Sequence, residues 1–286
     1  MKIGIGLPTT IRGVRGSEVL DWARRADAAG FSCLGTIDRL VYANYESFIG
    51  LAAAAAVTER IGLTTAVALL PPRLNAALVA KQAATLHHLS GGRLVLGAAV
   101  GGRPDDFEAS GADFEGRGRR MDEMLDDMER IWAGEKRGHA GAIGPDVSAN
   151  PPSVLVGGQV KAAFRRAARY GDGWISGGGT AEMFSDAREA LQAAFRDAGR
   201  SEKPTAASLS YFSLDADPEK QTRATIGDYY SFLSEYAGMI VDGTANGEDE
   251  VRERVRAFAE HGCDELILFP ASSDPEQVDK LAAAVL

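Results

Sequence analysis

Short apolar segments alternate with longer amphipathic segments along most of the chain. The apolar segments have the length and composition of buried strands, and the segments between them have the periodicity of helices. Strands are predicted at residues 3–7, 33–37, 61–70, 93–99, 154–156, 173–176, 206–214 and 265–269. Helices are predicted at residues 17–29, with Ser17 as the cap, and at 45–59, 74–89, 117–132, 160–170, 181–198, 218–236 and 248–261.

This alternation predicts an α/β fold with a parallel sheet. Eight strand-helix units in 286 residues favour a closed (β/α)8 TIM barrel over an open doubly wound sheet, because such barrels typically need about 250 residues. Residues 100–116 and 134–152 are expected to be loop insertions at the C-terminal mouth, since the alternation resumes after each. Residues 1–286 are therefore expected to form a single domain.

Composition and charge exclude several classes of function. A formal net charge of −9 argues against nonspecific binding to nucleic acid or to an anionic membrane surface. The longest apolar stretch, residues 51–57, is far shorter than the roughly 18 residues of a membrane span, and no signal-peptide pattern is present. The two cysteines and four histidines lack the spacing of a metal site. We expect a cytoplasmic protein that binds no metal, membrane or nucleic acid.

Two common enzyme signatures are missing from the sequence. No GxSxG motif is present, which disfavours a serine hydrolase of the α/β class. No GxGxxG motif follows the first strand, which disfavours a Rossmann dinucleotide site.

Glycine clusters follow the fifth and sixth predicted strands. The first comprises Gly157, Gly158 and Gln159, and the second extends over residues 176–180. Backbone N–H groups at such turns can approach an anion, and the helix that follows adds a partial positive charge. The residues themselves leave open whether these loops bind an anion or only form tight turns.

Four segments, taken together, resemble the bacterial luciferase-like monooxygenases. They are DWARRADAAGF (21–31), AVTERIGL (56–63), LHHLSGGRLVLG (86–97) and YGDGW (170–174). Members of that family are flavin-dependent oxidoreductases that use FMN or the deazaflavin coenzyme F420. The resemblance implies a (β/α)8 barrel with the isoalloxazine ring at its C-terminal mouth.

The resemblance also implies which residues bind the cofactor. A kinked backbone near Ala66 and Val67, often with a cis peptide bond, would support the central ring from behind. The ring-binding residues implied in this way are Thr65, Ala66, Val67, Ala99 and Gly101. The phosphate-binding residues implied are Gly157, Gly158, Ser176, Gly177 and Gly178.

Asp38 and Arg39, after the second strand, are the candidate catalytic residues. The F420-dependent sugar-phosphate and alcohol dehydrogenases of this family carry Asp-His at this place, and the histidine transfers protons. Here Arg39 replaces it, and Gly102 aligns with their acidic residue after the fourth strand. Arginine stays protonated and cannot serve as a general base near neutral pH, although it can bind an anion.

Two hypotheses for function remain at this point. The first is a monooxygenase or reductase that acts on a small organic substrate with reduced FMN or F420, FMN being preferred. The second is a non-catalytic relative that binds flavin or none. The acidic run Asp105, Asp106 and Glu108 is interpreted as a solvated loop, with lining of the substrate site as the alternative. The resemblance also implies a homodimer formed through helices beside the second and third strands, and the alanine-rich residues 51–57 would allow close helix packing there.

Overall fold

Parallel strands close into a barrel within residues 1–139, 141–233 and 235–286, which this computed structural model describes. In that part of the chain the barrel has eight strands: β1 (Lys2–Gly6), β2 (Cys33–Thr36), β3 (Gly62–Leu69), β4 (Leu94–Ala99), β5 (Ser153–Gly157), β6 (Gly173–Ser176), β7 (Thr205–Ser213) and β8 (Glu265–Pro270). Neighbours in the chain pair in parallel, and β8 pairs with β1 to close the sheet. The predicted (β/α)8 barrel is confirmed.

Helices cover the outside of the barrel and connect its strands. They are α1 (Gly16–Ala29), α2 (Ser47–Ala55), α3 (Ala76–Leu89), α4 (Pro104–Ser110), α5 (Arg117–Trp132), α6 (Lys161–Tyr170), α7 (Ala181–Asp197), α8 (Pro218–Tyr230), α9 (Glu235–Asp242), α10 (Glu248–Glu260) and α11 (Glu276–Val285). Short 3₁₀ turns occupy Pro71–Arg73 and Ser231–Leu233. A small antiparallel hairpin, Lys136–Arg137 with Gly141–Ala142, lies in the second insertion.

The helices bury one face against the sheet, as their sequence periodicity requires. In α5, Met121, Met124, Leu125 and Met128 are all buried, and these positions recur at the spacing of one helical face. Ile131 and Trp132 extend this buried face, and charged residues occupy most of the remaining positions. Burial of this apolar face stabilises the helix against the barrel.

The phenyl ring of Phe269, on β8, fills the barrel interior beside glycines of β1 and β2. A Cβ atom on Gly6 would lie 2.1 Å from Cδ1 of Phe269, and one on Gly35 would lie 2.9 Å from its Cζ atom. Glycine is therefore required where β1 and β2 approach the phenyl ring of β8. Because the interior is filled, the space for a ligand lies beyond the strand ends.

Several predicted boundaries need correction. Helix α1 begins at Gly16 with Arg15 as its cap, not at Ser17, and the Arg15 backbone N–H donates to Glu18 at 2.8 Å. The helix predicted at 45–59 is shorter, at Ser47–Ala55. The helix predicted at 218–236 ends at Tyr230 and is followed by a turn and by α9, and residue 234 lies outside the described residues. Helices α4 and α11 were not predicted.

Neither a membrane span nor a metal cluster is found among the described residues. Their helices are too short or too polar to span a bilayer. No group of three or more histidine, cysteine, aspartate or glutamate side chains in the same residues could hold a metal ion. Cys33 and Cys263 are buried free thiols, and burial raises the pKa of both.

Candidate active site at the barrel mouth

Small side chains meet where β3, β4 and β5 end. The peptide bond between Ala66 and Val67 is cis, as the resemblance implies for this position. A Cβ atom on Gly157 would lie 3.2 Å from Cβ of Ala99 and 3.3 Å from Cγ1 of Val67. The ends of these three strands therefore pack closely through residues with little bulk. Such a surface suits a flat ring.

Two of the predicted ring-binding residues have clear local roles. The Thr65 hydroxyl is buried and donates to the carbonyl oxygen of Gly97 at 2.7 Å, so it joins β3 to β4. Gly101 has a φ of 79°, and a Cβ atom there would lie 3.3 Å from the Phe107 ring. Gly101 thus permits the sharp turn that leads from β4 into α4.

The loops after β5 and β6 contact each other through side chains. Gln159 donates from Nε2 to Oγ of Ser176 at 3.4 Å and to the carbonyl oxygen of Gly178 at 3.3 Å. The Ser176 hydroxyl donates to the same carbonyl at 3.0 Å. Trp174 donates from Nε1 to the Gly158 carbonyl at 2.6 Å. These contacts bring the five predicted phosphate-binding residues into one pair of adjoining loops.

The space around these loops is uneven. A Cβ atom on Gly177 would meet nothing within 4 Å, whereas one on Gly158 would lie 3.0 Å from Cβ of Ala163. Helix α6 starts directly after the first loop, and its cap residue Val160 makes no side-chain hydrogen bond to the first turn. An uncapped first turn presents backbone N–H donors and a partial positive charge. An open loop beside it is favourable for an anion.

Asp38 is held by three partners. Its Oδ2 atom accepts hydrogen bonds from the backbone N–H of Leu69 and from Nη2 of Arg73, both at 2.9 Å. Its Oδ1 atom accepts from the Ser47 hydroxyl at 3.2 Å. Arg73 also pairs with Glu46 at 2.8 Å. Asp38 therefore joins the segment after β2 to the end of β3.

Arg39 lies under an aromatic cover, which consists of Tyr229, Tyr230 and Phe232 at the end of α8 and in the turn after it. Its side chain is 8% exposed and donates to the carbonyl oxygen of Tyr229 at 3.0 Å. Its Nη2 atom lies 3.4 Å from Oδ2 of Asp105. The guanidinium lies over the rings of Tyr42 and Phe232, with centroid distances of 4.9 and 4.8 Å. Arg39 is thus a buried cation.

Sequence analysis did not find a second arginine at the mouth, Arg103. Its guanidinium lies 4.3 Å from the centroid of Phe232 and 4.9 Å from that of Tyr229, and it donates to the Tyr229 hydroxyl at 3.3 Å. Burial disfavours its charge, but the neighbouring hydroxyls of Tyr229 and Tyr230 and the carboxylate of Asp106 outweigh burial and raise its pKa. The cover comes from α8 and its following turn, where the sequence pattern is weakest.

The start of the cover is anchored to the segment after β2. The Tyr42 hydroxyl donates to Asp228 at 2.5 Å, and Arg12 pairs with the same carboxylate at 2.6 Å. These two contacts lower the pKa of Asp228, which favours its charged form. Burial, together with the carboxylate, raises the pKa of Tyr42 to about 12, so the phenol stays protonated.

Two further tyrosines meet beneath the cover. The hydroxyls of Tyr211, on β7, and Tyr230, on α8, lie 2.7 Å apart. Burial raises the pKa of both phenols, so both remain protonated near neutral pH. They supply polar O–H groups on the inner side of the mouth.

The acidic run in the first insertion does not form a uniformly solvated loop. Asp106 is fully buried and accepts hydrogen bonds from the backbone N–H groups of Leu40, at 2.9 Å, and Val41, at 2.8 Å. The prediction of solvent exposure is wrong for Asp106 because the carboxylate satisfies backbone donors after β2. Glu108 is exposed, and Asp105 is the partner of Arg39.

The sequence profile of the family described as luciferase-like monooxygenase matches residues 1–285. The chain belongs to this family. An uncharacterised protein from Mycobacterium tuberculosis is 34% identical over 186 residues, which covers 55% of this chain and 64% of that protein. The matching region thus spans less than two thirds of the relative's length.

Two solved structures share the luciferase-like fold over the whole chain. An F420-dependent secondary alcohol dehydrogenase, in complex with an F420-acetone adduct, has a TM-score of 0.82 and 18% identity, and covers 100% of this chain and 98% of its own. A type II Baeyer–Villiger monooxygenase from Pseudomonas putida, in complex with FMN, has a TM-score of 0.76 and 18% identity, and covers 100% and 99%. At such identities the similarity establishes the fold.

Proposed function

We propose that this luciferase-like protein is a monooxygenase or reductase that uses reduced FMN or F420 on a small organic substrate at the barrel mouth. The observation that carries this proposal is the pair of features at the strand ends. A small-residue surface at Val67, Ala99 and Gly157 adjoins open glycine loops, and an aromatic cover lies over two arginines at the mouth. The first suits a flat ring with a phosphate, and the second suits a substrate.

The residues at the mouth fit such a cofactor. The small residues at the ends of β3 to β5 would support the ring. The loops at Gly157–Gly158 and Ser176–Gly178, beside the uncapped start of α6, would bind the phosphate. The cofactor, when bound, supplies hydride or, for reduced flavin, activation of oxygen. FMN remains preferred over F420.

The acid-base groups argue against alcohol oxidation. Removing a proton from an alcohol requires a base beside the transferred hydride, and Arg39 cannot accept a proton near neutral pH. Both oxygens of Asp38 are engaged by Arg73, Leu69 and Ser47. We infer that Asp38 is a positioning residue that fixes Arg39 at the mouth. A reaction that takes its proton from water or substrate needs no such base.

Three parallel assays test the reaction type. The wild-type protein is offered reduced FMN with oxygen, reduced F420 without oxygen, and oxidised F420 with glucose 6-phosphate or isopropanol, each with a panel of small organic compounds. We expect substrate-dependent turnover in the first or second assay. Turnover in the third assay alone would contradict the proposed lack of a base. Failure to bind either cofactor would support the non-catalytic hypothesis instead.

We further infer a homodimer formed through α2 and α3. On α2 and its end, Ile49, Ala52, Ala53 and Ala56 are exposed at helical spacing, and Leu78 of the neighbouring α3 is also exposed. Such a stripe of small apolar residues allows close helix packing. Light scattering of the wild type is expected to give the mass of a dimer, and Ala53→Glu the mass of a monomer. A monomeric wild type at micromolar concentration would contradict this assignment.

A further inference from the structure

Two guanidinium groups share the same aromatic rings beneath the cover. The ring centroid of Phe232 lies 4.8 Å from Cζ of Arg39 and 4.3 Å from Cζ of Arg103. The ring centroid of Tyr229 lies 5.6 Å and 4.9 Å from the same two atoms. Two cationic side chains thus contact the same rings, although Arg39 follows β2 and Arg103 follows β4. An anion within reach of both guanidinium groups would lower the repulsion between these like charges.

Among the described residues, a single carboxylate lies within ion-pair distance of the two arginines, and Asp106 and Asp228 act on them only from farther away. Within the described part of the chain, Arg103 has no carboxylate within 4.0 Å, and the partner of Arg39, Asp105, is half-exposed at 3.4 Å. Arg73, another arginine at the mouth, has two close carboxylate partners. Arg73 pairs with Asp38 and Glu46 at 2.9 and 2.8 Å.

Arg39 also retains a donor without a partner. Its side chain is more than nine-tenths buried, and its Nε–H finds no hydrogen-bond acceptor among the described residues. A buried donor of this kind is costly unless a ligand satisfies it. The planar guanidinium fork matches the two oxygens of a carboxylate or a phosphate.

This place is separate from the loops proposed to bind the cofactor phosphate. Those loops follow β5 and β6, whereas Arg39 and Arg103 follow β2 and β4 and are covered by the segment after β7. Gly102, which replaces the dehydrogenases' acidic residue, directly precedes Arg103. Both positions at which those relatives carry acid-base groups are therefore occupied by, or adjacent to, arginine.

We propose that Arg39 and Arg103 bind the carboxylate or phosphate group of an anionic organic substrate beneath Tyr229 and Phe232. The anion site rests on the contacts of these four residues, and only the statement that its occupant is the substrate rests on the proposed function. The two cations fix the charged end of the molecule, and the aromatic rings exclude water from it. Neutral alcohols and ketones lack the group that these arginines recognise.

Calorimetric titration of the cofactor-free protein tests this site. Benzoate and inorganic phosphate are the anionic probes, and benzamide is the neutral analogue of benzoate with nearly the same shape. We expect at least one anion to bind and benzamide to bind at least tenfold more weakly, which is the effect of about 1.4 kcal/mol from a lost charged hydrogen bond. Equal binding of benzoate and benzamide, or no binding of either anion, would overturn the proposal.

Three variants locate the binding. Arg103→Gln is expected to weaken anion binding about tenfold or more. Arg39→Lys, which keeps the charge but loses the fork, should also weaken it. Arg169→Gln is the matched control, because Arg169 lies 4.7 Å from the Tyr170 ring but is exposed on the outside of α6. Unchanged affinity in both mouth variants, or an equal loss in the control, would overturn the assignment.

Cofactor titration of the same variants separates this proposal from the proposed function. Arg103→Gln is expected to bind FMN or F420 with wild-type affinity while its anion affinity falls. A matching loss of cofactor affinity would assign the arginines to the cofactor and overturn the proposal. If the wild type binds anions through these arginines but neither cofactor, the anion site stands and the proposed function fails.

Discussion

At the scale of single residues, Arg93 joins three segments at the amino-terminal end of the barrel. Its guanidinium donates to the carbonyl oxygens of Ala55 and Thr58 at the end of α2, and to that of Ile61 before β3, at 2.9 to 3.2 Å. It also donates to the carbonyl of Ser90 at 2.7 Å. Carbonyls at a helix end lack partners within the helix, so this side chain satisfies them.

Replacement of Arg93 by lysine is expected to lower the free energy of unfolding by about 3 kcal/mol. A single ammonium group cannot reach all these carbonyls, and each charged hydrogen bond contributes roughly 1.5 to 3 kcal/mol. Urea denaturation followed by circular dichroism measures the loss. Arg60→Lys serves as the control, since Arg60 is exposed and donates to a single carbonyl, that of Asp27. Equal midpoints for wild type and Arg93→Lys would refute this role.

The segments that resemble the family thus contribute largely to the framework. Asp27 accepts hydrogen bonds from the backbone N–H groups of residues 59–61, and Asp172 accepts from the Ser153 hydroxyl and the Val154 N–H. With Arg93, these residues lie where strands begin, away from the mouth. For this reason the sequence could predict the family and the barrel while leaving the substrate site largely undefined.

At the scale of elements, His87 connects the end of α3 to the second insertion. The ring is buried; its Nδ1 atom lies 3.3 Å from the carbonyl oxygen of Leu94, and its Nε2 atom lies 3.3 Å from the side-chain nitrogen of Asn150. A neutral ring that donates from Nδ1 and accepts at Nε2 satisfies both contacts. Burial lowers the pKa of His87 below its usual 6.5.

The lowered pKa of His87 predicts a loss of stability in mild acid. The unfolded chain takes up a proton near pH 6.5, and the folded chain takes it up only at lower pH, so the free energy of unfolding falls as the pH drops below about 6.5. One proton contributes at most about 1.4 kcal/mol per pH unit. Urea denaturation at pH 7.5 and 5.5 measures the slope. We expect His87→Gln to reduce it and His88→Gln, at the exposed neighbouring position, to leave it unchanged.

The strands were easier to predict than the connections between them. Buried parallel strands are continuous apolar runs, so their positions agree with the structure to within a few residues. The segment after β7 lacks this signal, and the break of the predicted helix after Tyr230 was missed. That break places Phe232 over Arg39 and Arg103. Contacts between residues so far apart in the chain leave no local pattern in the sequence.

At the scale of the whole molecule, the net charge does not show how individual charges are placed at the mouth. The chain has a formal net charge of −9, yet Arg12, Arg39, Arg73 and Arg103 all lie around the strand ends. The negative net charge argues against polyanionic partners such as nucleic acid, but it does not argue against a small anion. The distribution of charge, rather than its sum, determines what the mouth can bind.

A single domain over residues 1–286 remains a prediction. The closed sheet runs through both halves of the chain, with β4 paired to β5 across the second insertion. We therefore expect one cooperative transition in scanning calorimetry, with the calorimetric and van't Hoff enthalpies equal. Two separate transitions in the cofactor-free protein would contradict a single domain.

Cofactor titration with a variant in the open glycine loop is the most direct test of the proposed flavin site. Gly177 has room for a side chain and does not need the left-handed backbone, whereas Gly158 has a φ of 120° and would be strained by substitution. Gly177→Asp therefore adds a carboxylate at the expected phosphate position without disturbing the fold. Gly238→Asp adds the same charge at an open, exposed position in α9.

Fluorescence titration with FMN and with F420 follows binding to wild type and both variants. We expect the wild type to bind at least one of the two cofactors, Gly177→Asp to bind it at least tenfold more weakly because like charges repel in the loop, and Gly238→Asp to match the wild type. Circular dichroism confirms that both variants are folded. Two results would contradict a flavin phosphate site in the loops after β5 and β6. One is wild-type cofactor affinity in folded Gly177→Asp, and the other is that the wild type binds neither cofactor.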